Sequence, residues 1–448
     1  MRVLLLIAAR NLIQARRRTG LLGTAVALVT MMFVLLLSLS AGIHDNMVKA
    51  ATNLSAGMVN VAGFYKVTPG SVAPIITHAA EIRKLVEENT PGLDYTLERS
   101  RGWGKLVSET GTAQTGVSGI KVEEETRFFE TIQLAKETEY KEDGRDTVLG
   151  NPRDLSQPDT VLIFASHAKR LGVTVGDTVT IQTETMSGRS NTVDLRVVAV
   201  ARDMGLLSSF VVYVPNDVVL DLYQLDSDTT GAIWVYLKDI EQAPTVMAHL
   251  REVLKDHGYI VMEHQGQPFF FKMEGVSAED WVGQHMDVTT WDDEVSFLSW
   301  VITAFNGLTV FLVLILVLII AIGVMNALWQ AVRERTGEIG TMRAIGLGRW
   351  RTLWLFLVEA ALLGFGASVL GAVLGAVVAT AVDLAHVPIT VEAVRAILLS
   401  ETLHLSVQPG PVASAVLFLT AFTALGAVVP AVWAGFFLTP VKALQHVE

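Results

Sequence analysis

Four long apolar segments divide the chain, and each is long enough to cross a bilayer as a helix. Residues 20–43 carry no charged side chain, and neither do residues 295–332 and 360–382. The fourth segment lies within 402–441 and is most apolar over 411–438. Because about 20 apolar residues span the hydrocarbon core as a helix, this pattern predicts four transmembrane helices.

The second of these segments is longer than a bilayer requires. As a helix its 38 residues would extend about 57 Å, whereas the hydrocarbon core is about 30 Å thick. We therefore expect part of it to project from the membrane as a stalk. A tilted helix, or one interrupted near Asn306, Gly307 or Gly323, is the alternative. The first segment is predicted to be an uncleaved helix, because its apolar core is too long for a signal peptide.

Residues 44–294 show shorter periods of apolar and polar positions. A helix is predicted from Ser71 to Asn89, because apolar residues recur there near helical spacing. The other predicted elements are strands at 178–184, 193–201, 208–215, 231–238 and 259–263, and a helix at 243–258. Strands alternating with helices indicate an α/β (α+β) domain. The predicted fold class is thus a four-helix transmembrane bundle with this large domain inserted between its first and second helices.

Charge gives this arrangement an orientation. Residues 1–19 contain five arginines and no acid, and residues 329–353 contain five arginines against two acids. Residues 44–294 contain 22 basic and 38 acidic residues. Since arginine and lysine accumulate on the cytoplasmic side, both termini are predicted to be cytoplasmic and the inserted domain external. The net charge of −11 argues against a nucleic-acid partner.

Enzymatic motifs are missing from the sequence. No glycine-rich phosphate loop occurs, since the one Gly-Lys pair, Gly104-Lys105, is followed by leucine. No H-E-x-x-H or G-x-S-x-G motif occurs either. The absence of cysteine excludes disulfides, thiolate metal sites and a cysteine nucleophile. We therefore predict no catalytic, cofactor or metal residue in this chain.

The third apolar segment has two features of its own. Gly364, Gly371 and Gly375 give it a face of small residues, which allows another helix to approach closely. Glu359 lies at its predicted cytoplasmic end, where an acid is either functional or paired with Arg349 or Arg351. No segment carries a row of charged residues, which argues against an ion-driven transporter.

One segment has a distinctive sequence, "ALWQAVRERTGEIGTMRAIGLGRWRTLWLFLVEAAL", at residues 327–362. It resembles the cytoplasmic signature of the FtsX-like ABC-transporter permeases, the family that includes the MacB and LolC–LolE groups. "AARNLIQARRRTGLLG" at 8–23, "FASHAKRLGVTVGDTVTI" at 164–181 and "LTPVKALQH" at 438–446 are also similar to that family. Unlike MacB, this chain has no ATPase domain, and unlike LolC it has a short, proline-free turn at about 184–191.

The resemblance implies a permease subunit that couples ATP hydrolysis by a separate ATPase to export or membrane extraction of a substrate. Lipoprotein release of the LolC–LolE type and FtsX-like signalling without transport are the alternatives. The implied coupling residues are Glu334, Arg335, Glu338, Arg343 and Glu359. The implied partners are two ATPase copies carrying ATP and magnesium, a second permease copy or paralogue, membrane lipid, and a periplasmic adaptor or carrier. The implied location is the bacterial inner membrane.

The resulting division of the chain has nine parts. Three are cytoplasmic, four cross the membrane and two are periplasmic. In order they are an amphipathic helix (1–19), the first span (20–43), the periplasmic domain (44–294), the second span with its stalk (295–328), the coupling segment (329–353), the third span (354–383), a short periplasmic loop (384–410), the fourth span (411–438) and a tail (439–448).

Overall fold

The computed structural model describes residues 2–185, 188–389, 391, 394 and 402–438. The chain divides into two compact units. We call Met1–Asp45 with Ile302–Pro388 and Thr402–Glu448 the membrane unit, and Asn46–Val301 with Ile389–Glu401 the α/β unit. The predicted tail (439–448) and most of the predicted loop at 390–401 lie outside the described residues, as do positions 186 and 187 of the proline-free turn.

The described residues form helices and strands with the following bounds. The helices are α1 (Arg2–Gln14), α2 (Arg16–Ala50), α3 (Ala79–Asn89), α4 (Thr126–Thr131), α5 (Glu137–Tyr140), α6 (Ala165–Leu171), α7 (Gly205–Ser208), α8 (Asn216–Tyr223), α9 (Ala243–Asp256), α10 (Phe269–Ala278), α11 (Trp291–Glu294), α12 (Ser299–Glu334), α13 (Thr336–Ala344), α14 (Arg349–Leu384), α15 (Pro409–Gly426) and α16 (Val428–Val432). The strands are β1 (Val59–Lys66), β2 (Ile76–Thr77), β3 (Leu93–Val107), β4 (Thr112–Ile120), β5 (Thr160–Phe164), β6 (Thr178–Glu184), β7 (Ser190–Ala201), β8 (Val211–Pro215), β9 (Thr229–Thr230), β10 (Ala232–Leu237) and β11 (Gly283–Thr290).

Four helical segments among the described residues are long and apolar enough to span a membrane. They are Thr19–Ala56, Thr303–Glu334, Arg349–Leu384 and Pro409–Gly426. The predicted fold class is confirmed, since the α/β unit lies between the first and second of them. The excess length is not confined to the second helix, because α2 and α14 also exceed the roughly 20 residues that a bilayer requires.

The fourth span is shorter than its apolar run. The predicted segment extends to residue 438, but α15 ends at Gly426 and is followed by α16 and a π-helical turn at Trp433–Phe437. Pro430 lies just beyond this break. A proline has no N–H to donate, so Pro430 cannot form the helical hydrogen bond to the carbonyl of Gly426, where α15 ends.

A nine-stranded sheet forms the frame of the α/β unit. Its strand order is β11-β1-β10-β3-β4-β8-β5-β7-β6, and β6 pairs again with β3. The last six strands therefore close into a ring, which we call the ring lobe. β11, β1, β10 and the first half of β3 form an antiparallel layer, which with α3 and α9 we call the layer lobe. β3 belongs to both lobes.

Each of these lobes has an apolar core. The ring lobe buries branched residues on alternate positions of its strands, among them Val161, Ile163 and Val212. The layer lobe buries Ile82 and Leu250 from its two helices against Val61 and Val235. Successive residues of a strand point to opposite faces, and in β5 both faces are buried, since Leu162 belongs to a further apolar cluster.

Two predicted elements of this unit are wrong in part. The helix predicted from Ser71 begins only at Ala79, because Ile76 and Thr77 pair with β9 and His78 adopts a left-handed φ of 55°. The strand predicted at 259–263 is a single bridge between Val261 and Met286. Apolar spacing alone did not separate a short paired segment from a helical turn.

Candidate coupling segment and polar anchors

The segment that links the second and third spans is a short helix held by apolar contacts. Ile339 of α13 is buried against Val332, Phe356 and Ala434. The hydroxyl of Thr336 donates to the Arg333 carbonyl at 2.8 Å and so closes the end of α12. α13 stops at a glycine, Gly346, with a φ of +109°, which a side-chain-bearing residue rarely adopts. The segment therefore has a defined fold.

Its charged residues divide into two groups. Glu334 and Glu338 are exposed, and Gln330 Nε2 donates to Glu334 Oε1 at 3.2 Å. Arg335 is half-buried at the start of α13. Arg343 is directed back into the membrane unit, where its guanidinium donates to the carbonyl of Leu438, just after the π-helical turn at Trp433–Phe437. Four of the five predicted coupling residues lie in this segment, and the two acids are the most accessible of these four.

A residue that the sequence analysis did not select lies beside them. Ile345 follows α13 and has 83% of its surface exposed. Isolated exposed apolar residues are common, but this one occupies a tight turn in an otherwise basic segment. The signal was present in the sequence as an isoleucine between Ala344 and Gly346, within the segment at 327–362 that resembles the family signature.

Glu359 lies inside the membrane unit. Its side chain is 2% exposed, and Asn11 Nδ2 of α1 is 3.4 Å from Glu359 Oε2. A cavity of about 10 Å³ lies beside it, with Thr19 and Leu12 in its wall. The carboxylate thus connects the entry helix α1 to α14.

The three glycines of α14 face two different helices. A Cβ at Gly371 would overlap the Ala27 carbonyl of α2, and one at Gly375 would lie 3.0 Å from the Met31 carbonyl. A Cβ at Gly364 would lie 2.8 Å from Thr423 of α15. Close approach of both neighbouring helices to α14 therefore depends on glycine at these positions.

In the α/β unit, polar side chains hold the segment that follows α2. Residues Ala51–Ala56 form a π-helical turn whose carbonyls accept hydrogen bonds from three strands. Tyr236 donates to the Thr52 carbonyl at 2.8 Å, Tyr213 to the Leu54 carbonyl at 3.2 Å, and Arg99 to the Asn53 carbonyl at 3.5 Å. A helix end leaves its last carbonyls without helical partners, and Tyr213 and Arg99 supply partners at Leu54 and Asn53, whereas Tyr236 adds a second donor at Thr52, which also accepts from the Gly57 amide.

Arg99 is the centre of this first anchor. Its guanidinium donates to Glu125 at 2.7 Å, and both side chains are at most 2% exposed. It also lies 4.4 Å from the ring centre of Trp234 and 5.1 Å from that of Phe128. Burial is the largest influence on the pKa of Arg99 and lowers it, but the charge and hydrogen bond of Glu125, together with Tyr213 and Tyr236, outweigh burial and raise the pKa. Burial also raises the pKa of Tyr213.

A second anchor lies just before α12. Glu294 is buried and accepts hydrogen bonds from Thr289 at 2.8 Å, Asn60 at 3.3 Å and the Phe269 amide at 3.3 Å. Arg101 donates to Asn60 at 2.6 Å, so it is linked to Glu294 through the amide. Burial raises the pKa of Glu294 and lowers that of Arg101. A neighbouring buried pair joins Lys272 to Asp287 at 2.7 Å.

The two anchors have one strand in common. Arg99 and Arg101 are two positions apart on β3, so both side chains leave the same face of the strand. One fixes the turn that follows α2, and the other fixes the residue that precedes α12. The sequence contains the R-x-R pair, but its partners lie 26 or more positions away and could not be identified from spacing.

Comparison with known proteins gives two family matches. Residues 19–253 match the MacB-like periplasmic core domain, and residues 310–434 match the FtsX-like permease C-terminal model. No curated protein matches the chain.

Three solved structures are similar to parts of it. The periplasmic region of MacB from Actinobacillus actinomycetemcomitans is 17% identical, covers 57% of this chain and 97% of its own, and has a TM-score of 0.31. The extracellular domain of the noncanonic ABC-type transporter YknZ from Gram-positive bacteria is 12% identical, covers 44% and 95%, and has a TM-score of 0.28. A domain of a putative permease protein from Porphyromonas gingivalis is 15% identical, covers 52% and 87%, and has a TM-score of 0.27.

Proposed function

Because the chain belongs to the family of ABC-transporter permeases with an FtsX-like C-terminal segment and a MacB-like periplasmic core domain, we propose that it couples a separate ATPase to its α/β unit. ATP and magnesium would be bound by that ATPase. The work done would drive export or membrane extraction of a substrate. This chain itself would be a permease subunit and not an enzyme.

The coupling segment is the observation that carries this proposal. α13 presents exposed Glu338 and, at its end, exposed Ile345, while Ile339 fixes the helix to the membrane unit. Protein contacts commonly combine an apolar centre with a polar rim, and Ile345 and Glu338 would supply one of each. Because its other face packs on the membrane unit, α13 would transmit a displacement caused by a bound partner to α12 and α14, which flank it in the chain.

The polar anchors support the other half of the coupling. Movement of α2 or α12 would reach the sheet through Arg99 or Glu294 only if those contacts resist deformation. Buried charge-assisted hydrogen bonds are the stronger class, and removing one partner leaves a costly unpaired charge. The sheet would therefore follow the helices.

The proposed arrangement contains two permeases, either identical or paralogous, and two ATPases in the bacterial inner membrane. Both termini and α13 would be cytoplasmic, and the α/β unit periplasmic. A periplasmic adaptor or carrier would receive the substrate. The arginine distribution supports this orientation, since residues 1–19 and 329–353 hold ten arginines and two acids.

The test is co-purification of the tagged full chain from its native membrane in mild detergent, followed by mass spectrometry. We expect an ATP-binding-cassette subunit to co-purify with it and to be lost on Glu338→Lys or Ile345→Asp. Glu109→Lys is the matched control, because it reverses the charge of an exposed acid in a turn of the α/β unit. Retention of the ATPase by both coupling variants would contradict the assigned docking segment.

The same preparation separates the alternatives. A lipoprotein that leaves the membrane only when ATP is present would favour the lipoprotein-releasing function. ATP-dependent activation of a co-purified cell-wall enzyme, without movement of any substrate, would favour signalling. Absence of any ATPase after crosslinking would overturn the proposed function itself.

A further inference from the structure

An apolar groove runs between α2 and α14 in the membrane unit. Its volume is about 560 Å³, and its walls include Gly20, Gly23 and Met31 of α2 and Gly366 and Leu370 of α14. The two helices are in contact along this stretch, since Gly371 approaches the carbonyl of Ala27, which also lines the groove. The groove therefore runs along one side of a packed helix pair and lies within the membrane unit.

The glycines leave real space in this groove. A Cβ built at Gly20 or Gly366 would meet no atom within 4 Å, and one at Gly23 would meet Leu363 only at 3.8 Å. A void in an apolar environment loses the dispersion contacts of its lining, so a groove open to a bilayer is filled by hydrocarbon. From Thr19 to Met31 it extends about 18 Å along α2, close to the depth of one leaflet.

One end of the groove is positively charged. Arg16 and Arg17 are exposed, and they precede Gly20 by four and three positions, which places them on the groove face one turn earlier. Among the described residues, neither arginine has an ion-pair partner within the chain. Glu359 is nearby but buried, with Asn11 at its carboxylate. The exposed charge at the groove's end is therefore basic.

We propose that this groove binds one anionic phospholipid, with an acyl chain between α2 and α14 and its phosphate at Arg16 and Arg17. Basic clusters next to a transmembrane helix attract anionic headgroups, and arginine reaches phosphate through two donors at once. The lipid would cover the apolar side of the groove along the first and third spans. This inference depends on the membrane-spanning helices and is independent of the proposed coupling to an ATPase.

The test is photolabelling of the full chain in phosphatidylcholine vesicles that contain a small fraction of phosphatidylglycerol with a diazirine in one acyl chain. Labelled peptides are identified by mass spectrometry, and phosphatidylcholine carrying the same diazirine is the comparison lipid. We expect residues 20–31 and 362–374 to be labelled more strongly by phosphatidylglycerol. The exposed surface of α12 should be labelled equally by both lipids.

Two variants distinguish binding of the lipid headgroup from binding of the acyl chain. Arg16→Gln with Arg17→Gln should reduce the preference for phosphatidylglycerol by about fivefold per arginine, while labelling by phosphatidylcholine persists. Gly366→Leu should fill the groove and reduce labelling of it by both lipids. Gly307→Leu is the matched control, since it adds the same side chain at an exposed α12 glycine with no atom within 4 Å.

Equal labelling by the two lipids would overturn the proposal, because labelling would then depend only on which residues are exposed to lipid. So would unchanged labelling of residues 20–31 in Gly366→Leu. If Gly366→Leu does not assemble, the arginine double variant still decides, because its substitutions lie on an exposed surface.

Discussion

The buried pair of Arg99 and Glu125 allows a quantitative prediction. Replacing Arg99 with methionine removes the only basic partner that the structure gives to Glu125 among the described residues and leaves its carboxylate 2% exposed. Losing one partner of a buried ion pair costs about 3–5 kcal/mol, because the remaining charge has neither water nor a counterion. The hydrogen bond to the Asn53 carbonyl is lost as well.

The pair can be removed as a unit for comparison. In Arg99→Met with Glu125→Leu no charge is left buried, so most of the penalty disappears. The remaining cost is about 1–2 kcal/mol, from the lost contact with Trp234 and the unpaired Asn53 carbonyl. We therefore expect the double variant to be more stable than either single variant.

The assay is thermal unfolding of the full chain in detergent, followed by tryptophan fluorescence. For a unit of this size 1 kcal/mol corresponds to about 2–4 °C, so each single variant should lose about 10 °C in Tm and the double variant about half of that or less. Arg127→Met is the control. Arg127 also has one carboxylate, Asp94, at 2.8 Å, but it is 33% exposed and should cost at most about 1 kcal/mol.

A different result would refute the reasoning. If the losses of the two single variants simply added in the double variant, the two side chains would not interact energetically. If Arg99→Met behaved like Arg127→Met, burial would not be what makes this pair important.

Three further predictions follow from other parts of the chain. Gly371→Val should prevent α2 and α14 from packing and yield little monodisperse protein on gel filtration, whereas Gly366→Val should purify normally, because its Cβ meets open space. Burial lowers the pKa of His167, so stability should fall as the pH drops below about 6.5, and His167→Gln should weaken that dependence in melts at several pH values. Lys66→Met should lower the free energy of unfolding by about 2–3 kcal/mol and so lower Tm, because Lys66 donates to the Val276 and Glu279 carbonyls at the end of α10; equal Tm values would refute that role.

The membrane helices were the most predictable part of the fold. Their signal is a long apolar run, and hydrocarbon permits few structures other than a helix for such a run. The strand at 178–184 was equally clear, because its alternation matches the burial of every second residue of β6. The start of α3 was not predictable, since it depends on pairing between Ile76 and Thr230, more than 150 positions apart.

The candidate sites also divide into one that local sequence could locate and others that depend on distant contacts. Glu338 and Ile345 belong to one local segment, so a family signature in the sequence could locate it. Arg99 and Glu294 are functional candidates only because distant strands bring partners to them. Glu359 lies ten residues into α14, and its burial beside Asn11 depends on the position of α1, which no periodicity indicates.

β3 has a consequence for how the α/β unit opens. Its first half is hydrogen-bonded to β10 and its second half to β4 and β6, and no loop interrupts its 15 residues. The ring lobe and the layer lobe therefore share a continuous backbone, and neither can unfold without breaking part of the other's ladder. In hydrogen exchange the amides of β3 should form the slowest group of both lobes and exchange together, as one cooperative folding unit.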